Sequence, residues 1–116
     1  MIQRIYSLER FEVKQMDYSI LNNDKVIIFG GVDSWQRKVK ARLPNITLID
    51  GNLNFDKRLI KNANIIFINV KAKLYHGLYY RAKGVIKENN ITVKYIATTN
   101  IDFTLKEMYN ALINSW

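Results

Sequence analysis

Residues 25–43, KVIIFGGVDSWQRKVKARL, decide how the chain is read. The apolar run Val26–Phe29 lacks alternation, as expected of a strand buried on both faces of a parallel sheet. Gly30-Gly31 then turns the chain, and Ser34 stands where a side-chain oxygen can cap a helix. That helix is expected to turn Trp35, Val39 and Leu43 inward and to stop at Pro44, because the residue before a proline is pushed out of helical conformation. The stretch therefore reads as a first strand, a tight loop and a first helix.

Working outward, similar apolar runs recur at Ile46–Ile49, Ile65–Val70 and Ile91–Ala97. Helical spacing fills the gaps. A short helix is expected over Asp56–Asn62, after the turn Asp50-Gly51-Asn52. Tyr75, Leu78, Tyr79, Ala82 and Ile86 follow the spacing of one helix face, and Asn89-Asn90 ends that helix. The last helix carries a T-x-x-E capping box at Thr104 and Glu107 and a hydrophobic staple between Phe103 and Met108. It is expected to bury Leu105, Met108, Leu112 and Trp116. The order β-α-β-α-β-α-β-α, joined by short connections, predicts a Rossmann-like or flavodoxin-like α/β sandwich of three layers. Its four-stranded parallel sheet should have the order 2-1-3-4.

Residues 25–116 form this single domain, since 116 residues support one core and not two. Residues 1–24 read as an N-terminal arm or short helix. Ser7–Met16 has helical character with an incomplete cap, and the turn cluster Asn22-Asn23-Asp24 closes it. No apolar run nears the roughly 20 residues that span a bilayer, and MIQRIYSLERFEVK lacks a continuous signal-peptide core. The expected location is the cytoplasm. With no cysteine, disulfides, thiolate zinc sites and thiolate nucleophiles have no residues to build them, and a single histidine argues against an all-protein zinc site. No motif calls for a cofactor.

Eighteen Lys and Arg against ten Asp and Glu leave a net charge of +8, which favours anionic partners electrostatically. In doubly wound sheets, ligands bind outside the carboxyl ends of the strands where the topology reverses. The loops expected there are Gly30–Ser34, Asp50–Asn52, Lys71–Lys73 with His76 just beyond, and Thr98–Asn100. Gly30 and Gly31 can admit a phosphate to backbone N–H groups, or can serve only a turn that needs positive φ. GGVDSW matches neither the dinucleotide fingerprint nor the P-loop. Asp33 disfavours a bare triphosphate unless a cation intervenes, or acts as a charge at a helix start. Arg37, Lys71 and Lys73 can neutralise an anion, while Ser34, His76 and Asn100 can orient it by hydrogen bonds. The cluster Arg37, Lys38, Lys40 and Arg42 reads either as a solvated face or as a surface for nucleic acid or an acidic protein. His76 is the one general acid–base candidate with an ordinary pKa near neutrality, and no carboxylate lies close in sequence. Tyr80 lies one turn beyond it. Trp35, Tyr75, Tyr79 and Trp116 read as core or dimer contacts.

Taken together, GGVDSW at 30–35, LPNITLIDG at 43–51, IKNANIIFINV at 60–70, a histidine before YYRAK and a closing TTNIDFTL at 98–105 resemble the domain-of-unknown-function family numbered 2325, found in bacteria and their phages. The resemblance runs from Lys25 to the C-terminus. It implies a small Rossmann-like α/β fold and no established reaction. Gly30, Gly31, Ser34 and Trp35 fit the family's glycine-pair loop, His76 its histidine and Asn100 its late Thr-Asn motif. Tyr75 stands where the family often has serine.

The reading that follows is a non-enzymatic, homodimeric binding module for a phosphate-bearing small molecule or nucleotide. Its rival is a basic phage or mobile-element protein that binds nucleic acid or inhibits a host complex.

Overall fold

Runs of buried aliphatic side chains make the centre of the molecule. The computed structural model describes residues 17–49, 57–71 and 76–114, with the backbone alone at 57 and 76–81. The expected helix Ser7–Met16, the turn Asp50–Asn52, Lys73, Tyr75 and Trp116 lie outside the described residues, as do the side chains of His76, Leu78, Tyr79, Tyr80 and Arg81.

Four parallel strands, β1 (Val26–Gly30), β2 (Thr47–Ile49), β3 (Ile65–Asn69) and β4 (Thr92–Ile96), form one sheet in the order β2-β1-β3-β4. Every residue of β1 and β3 is buried. Strands of this kind need apolar side chains on both faces, which is why their sequences show no alternation. At the sheet edge, β4 leaves Lys94 and Tyr95 exposed.

Helices α1 (Asp33–Arg42), α2 (Lys57–Lys61), α3 (His76–Glu88) and α4 (Ile101–Asn114) connect and cover the strands. Because side chains alternate along a strand, two cores result. Val26, Ile28, Ile65, Phe67 and Ile96 point to one face, against Trp35, Val39 and Leu43 of the α1 region and Leu105, Met108 and Leu112 of α4. Ile27, Phe29, Ile66 and Ile68 point to the other, against Ile60 of α2 and Ala82 and Val85 of α3. The three-layer arrangement and strand order are those expected from the sequence.

Several boundaries differ from the expectation. α1 starts one residue before Ser34, with Val32 at its N-cap and no side-chain cap. The two glycines complete the turn, so the chain is already helical when it reaches Ser34. α4 starts at Ile101, and Asn100 caps it by accepting a hydrogen bond from the Phe103 N–H at 2.9 Å. Thr104 is therefore inside the helix, and the expected capping box and staple do not form its start. At the end of α3, the Asn90 N–H donates to Lys87 O and the Ile91 N–H to Ile86 O. This is a Schellman closure, with Asn90 at φ 54° taking the left-handed position that asparagine tolerates better than most residues.

A 3₁₀ turn at Tyr18–Leu21 precedes the first strand, capped by Asp17. Leu21 is fully buried in the α1/α4 core, and Tyr18 meets Tyr109 of α4 edge to face, ring centres 5.8 Å apart. The described part of residues 1–24 thus packs on the domain.

Candidate functional site

At its carboxyl end, β1 leaves the sheet through Gly30 and Gly31, at φ 81° and 86°. Both angles lie in the region that favours glycine. Gly31 has a second reason to lack a side chain, because the Trp35 ring and the Asn69 Cβ occupy the space a Cβ would take. The glycine pair is thus shaped by contacts inside the chain. Gln36, one turn into α1, points back and donates from Nε2 to the Gly30 carbonyl at 2.9 Å.

Asn69, the last residue of β3, pairs in register with Gly30 on one side and Ile96 on the other. It is fully buried. Its Nδ2 donates to Thr98 O at 3.0 Å, and its Oδ1 accepts from the Lys71 N–H at 2.9 Å. One side chain thereby ties the loops after β3 and β4 to the end of β3. The Asn100 N–H donates to Thr98 Oγ1 at 3.1 Å. The Trp35 Nε1–H donates to Thr104 Oγ1 at 2.9 Å, and that hydroxyl donates to Asn100 O at 2.7 Å. This chain of bonds runs from α1 across to the start of α4. No buried side-chain nitrogen or oxygen among the described residues lacks a partner.

The structure thus brings Gly30, Gly31, Lys71 and the Thr98–Asn100 loop to one sheet edge, where β1 and β3 diverge into helices on opposite faces. Asp33 and Ser34 are exposed in the first turn of α1, and Lys71 and Asn100 are also exposed. The side-chain oxygen of Asn100 is engaged as a helix cap. His76 opens α3. Arg37 and Lys38 are exposed on α1, but the other two members of the basic cluster have partners in the chain. Lys40 donates from Nζ to the Ile46 carbonyl, and Arg42 pairs with Asp102 at 3.5 Å.

Sequence reasoning missed Asn69, Gln36 and the interior role of Thr104. A visible signal existed for Asn69: it is the polar interruption in the apolar run IIFINV, at the end of the strand where the loops meet. Gln36 and Thr104 are polar residues on helix faces that turn inward, and their periodicity alone carries no such mark.

Among the described residues, no three His, Cys, Asp or Glu side chains come together to hold a metal ion, and no helix is long and apolar enough to cross a membrane. The fold is that of a small doubly wound α/β protein, and the loops gathered at this edge stand at its topological switch point, between β1 and β3. No protein-family model, curated protein or solved structure matches the chain.

Proposed function

We propose that this protein is a non-enzymatic binding module of the family it resembles, taking a phosphate-bearing small molecule or nucleotide at the carboxyl edge between β1 and β3. The observation that carries this reading is the start of α1. No side chain caps it, and it follows two glycines at positive φ at the point where the sheet reverses direction. First-turn N–H groups without a capping side chain, at the positive end of a helix dipole, suit an anion. Lys71 supplies cationic charge from the neighbouring loop, and the net charge of +8 favours approach. Asp33 stands against a highly charged ligand, so the reading is for a monophosphate or diphosphate group.

The test is titration calorimetry of the full chain with inorganic phosphate, AMP, ADP and cyclic AMP, beside Ser34→Asp. An aspartate at this exposed first-turn position suits the helix dipole and holds the fold, while its carboxylate competes for the same N–H groups. Nucleotide binding that falls at least about tenfold in Ser34→Asp, or about 1.4 kcal/mol, supports the reading. No binding by the wild-type chain, or unchanged affinity in the variant, refutes it. The rival nucleic-acid reading has less support, because Lys40 and Arg42 are engaged within the chain. It would be favoured by steeply salt-dependent binding to DNA or RNA that falls in Arg37→Gln/Lys38→Gln.

A further inference from the structure

On the opposite side of the domain from α1 and α4, between α3 and the sheet, lies a cavity of about 310 Å3. It is separate from the carboxyl-edge loops, since none of Gly30, Gly31, Asn69 or Asn100 lines it. Ile66 and Ile68 of β3 and Val93 of β4 form one wall, and Ala82 and Ile86 of α3 the other. Protein interiors hold few voids larger than a water molecule. This one reaches the lower end of the volume of small-molecule sites, roughly 300–1,000 Å3. Its lining reaches from Phe29 of β1 and Ile49 of β2 to β4, which is the last strand of the sheet on that side.

The polar groups of the lining are few and of one sign. Among the described residues they are, apart from the Tyr95 hydroxyl, the ammonium groups of Lys83 and Lys87, with no carboxylate in the lining. Lys83 and Lys87 are exposed and Tyr95 is 60% exposed, so these three side chains mark the mouth. Residues four apart on a helix are neighbours on its surface, which lets one anionic group sit between both lysines. An apolar interior with a cationic rim fits a molecule that is apolar along its length and anionic at one end.

We propose that the cavity binds a small amphipathic carboxylic acid, its hydrocarbon body against Ile66, Ile68 and Val93 and its carboxylate between Lys83 and Lys87. Burial of the body supplies the affinity. The charge-assisted contacts at the mouth select the acid over a neutral analogue. A merely structural role for the lysines, their stems shielding apolar surface while their heads stay in water, would give no such selection.

The experiment titrates the full chain with sodium decanoate and with decanol, both below their aggregation concentrations, followed by calorimetry and by amide chemical shifts of β3 and β4. Decanoate is expected to bind at least about tenfold more tightly than decanol, a difference of about 1.4 kcal/mol. In Lys83→Met/Lys87→Met, an exposed pair whose replacement leaves the core intact, the two ligands should bind alike. Ala82→Leu fills the cavity and should weaken both. Failure of decanoate to bind the wild-type chain overturns the proposal. So does equal binding of acid and alcohol, or an acid preference that survives loss of both lysines. If Ala82→Leu does not fold, the lysine variant alone decides the matter.

Discussion

Replacing Gly31 with alanine probes the contact on which the loop after β1 is built. A Cβ on Gly31 would lie 2.5 Å from Trp35 Cε3, 2.8 Å from Cζ3 and 3.2 Å from the Asn69 Cβ. Carbon atoms in contact prefer about 3.5–4.0 Å, so something must move. Trp35 cannot easily do so: it is 1% exposed, packed in the core and held at Nε1 by Thr104. Overpacking of this kind costs about 1–3 kcal/mol. A left-handed backbone at a residue with a Cβ adds about 1–2 kcal/mol. The expected loss, about 2–5 kcal/mol, is a large share of the 5–15 kcal/mol that holds a typical domain. Urea unfolding of wild type and Gly31→Ala, read by tryptophan fluorescence and circular dichroism, measures it. The same glycine substitution in a Trp35→Leu background removes the ring and should cost mainly the backbone part, about 1–2 kcal/mol, with the 3.2 Å approach to the Asn69 Cβ still to be relieved. A loss in Gly31→Ala below about 0.5 kcal/mol, the scatter of neutral surface substitutions, would refute the steric reasoning. A penalty unchanged by Trp35→Leu would refute the assignment of the clash to the indole. One consequence concerns ligand tests at this edge. A substituted Gly31 reports on stability before it reports on binding, which is why Ser34→Asp is the better probe.

Thr104→Val keeps the side-chain shape but leaves the buried Trp35 N–H without its acceptor. The expected cost is about 1–3 kcal/mol in thermal or urea unfolding, with a double-mutant cycle against Trp35→Phe recovering most of it. Asn69→Ala removes the donor to Thr98 O and the acceptor for the Lys71 N–H, so it should destabilise by about 2–3 kcal/mol and speed hydrogen exchange at the Lys71 amide. The hydrogen bonds from Ser19 hold the Asp17 carboxyl below its ordinary value of 3.8. Because the folded-state value is the lower one, the contribution of Asp17 is present above the ordinary value and is lost as the pH falls through the folded one. Urea midpoints of wild type and Asp17→Ala should therefore differ near neutrality and converge in acid, while Asp17→Asn, which keeps an accepting oxygen, should lose that pH dependence.

Much of the architecture was legible because it rests on patterns that survive averaging over neighbours. Val26–Phe29 and Ile65–Ile68 are continuous apolar runs, which only a strand covered on both faces accommodates. Trp35, Val39 and Leu43 recur at helical spacing, and Pro44 forbids continuation. The site was legible as a set of loops, since a doubly wound sheet sends the loop after each strand to the same edge. What ties them together was not. Asn69, Gln36 and Thr104 act through partners 29, 6 and 69 residues away.

The start of α4 shows where local signals stop. Thr104-x-x-Glu107 and Asn100 each offer a plausible cap, and sequence cannot rank them. The choice is settled by Trp35, whose buried indole N–H needs an acceptor and finds it in the Thr104 hydroxyl, a group that serves this purpose from inside the helix. The sequence by itself determined the order of the elements, the two-sided burial of β1 and β3, and the edge at which the loops collect, because periodicity and composition carry that information locally. Only the tertiary structure decided why Gly31 must lack a side chain, which threonine and asparagine cap and which bond across, and that an apolar cavity opens beside β4. Each of these depends on how the packed elements fill or leave a particular few ångströms of space, which local pattern does not carry.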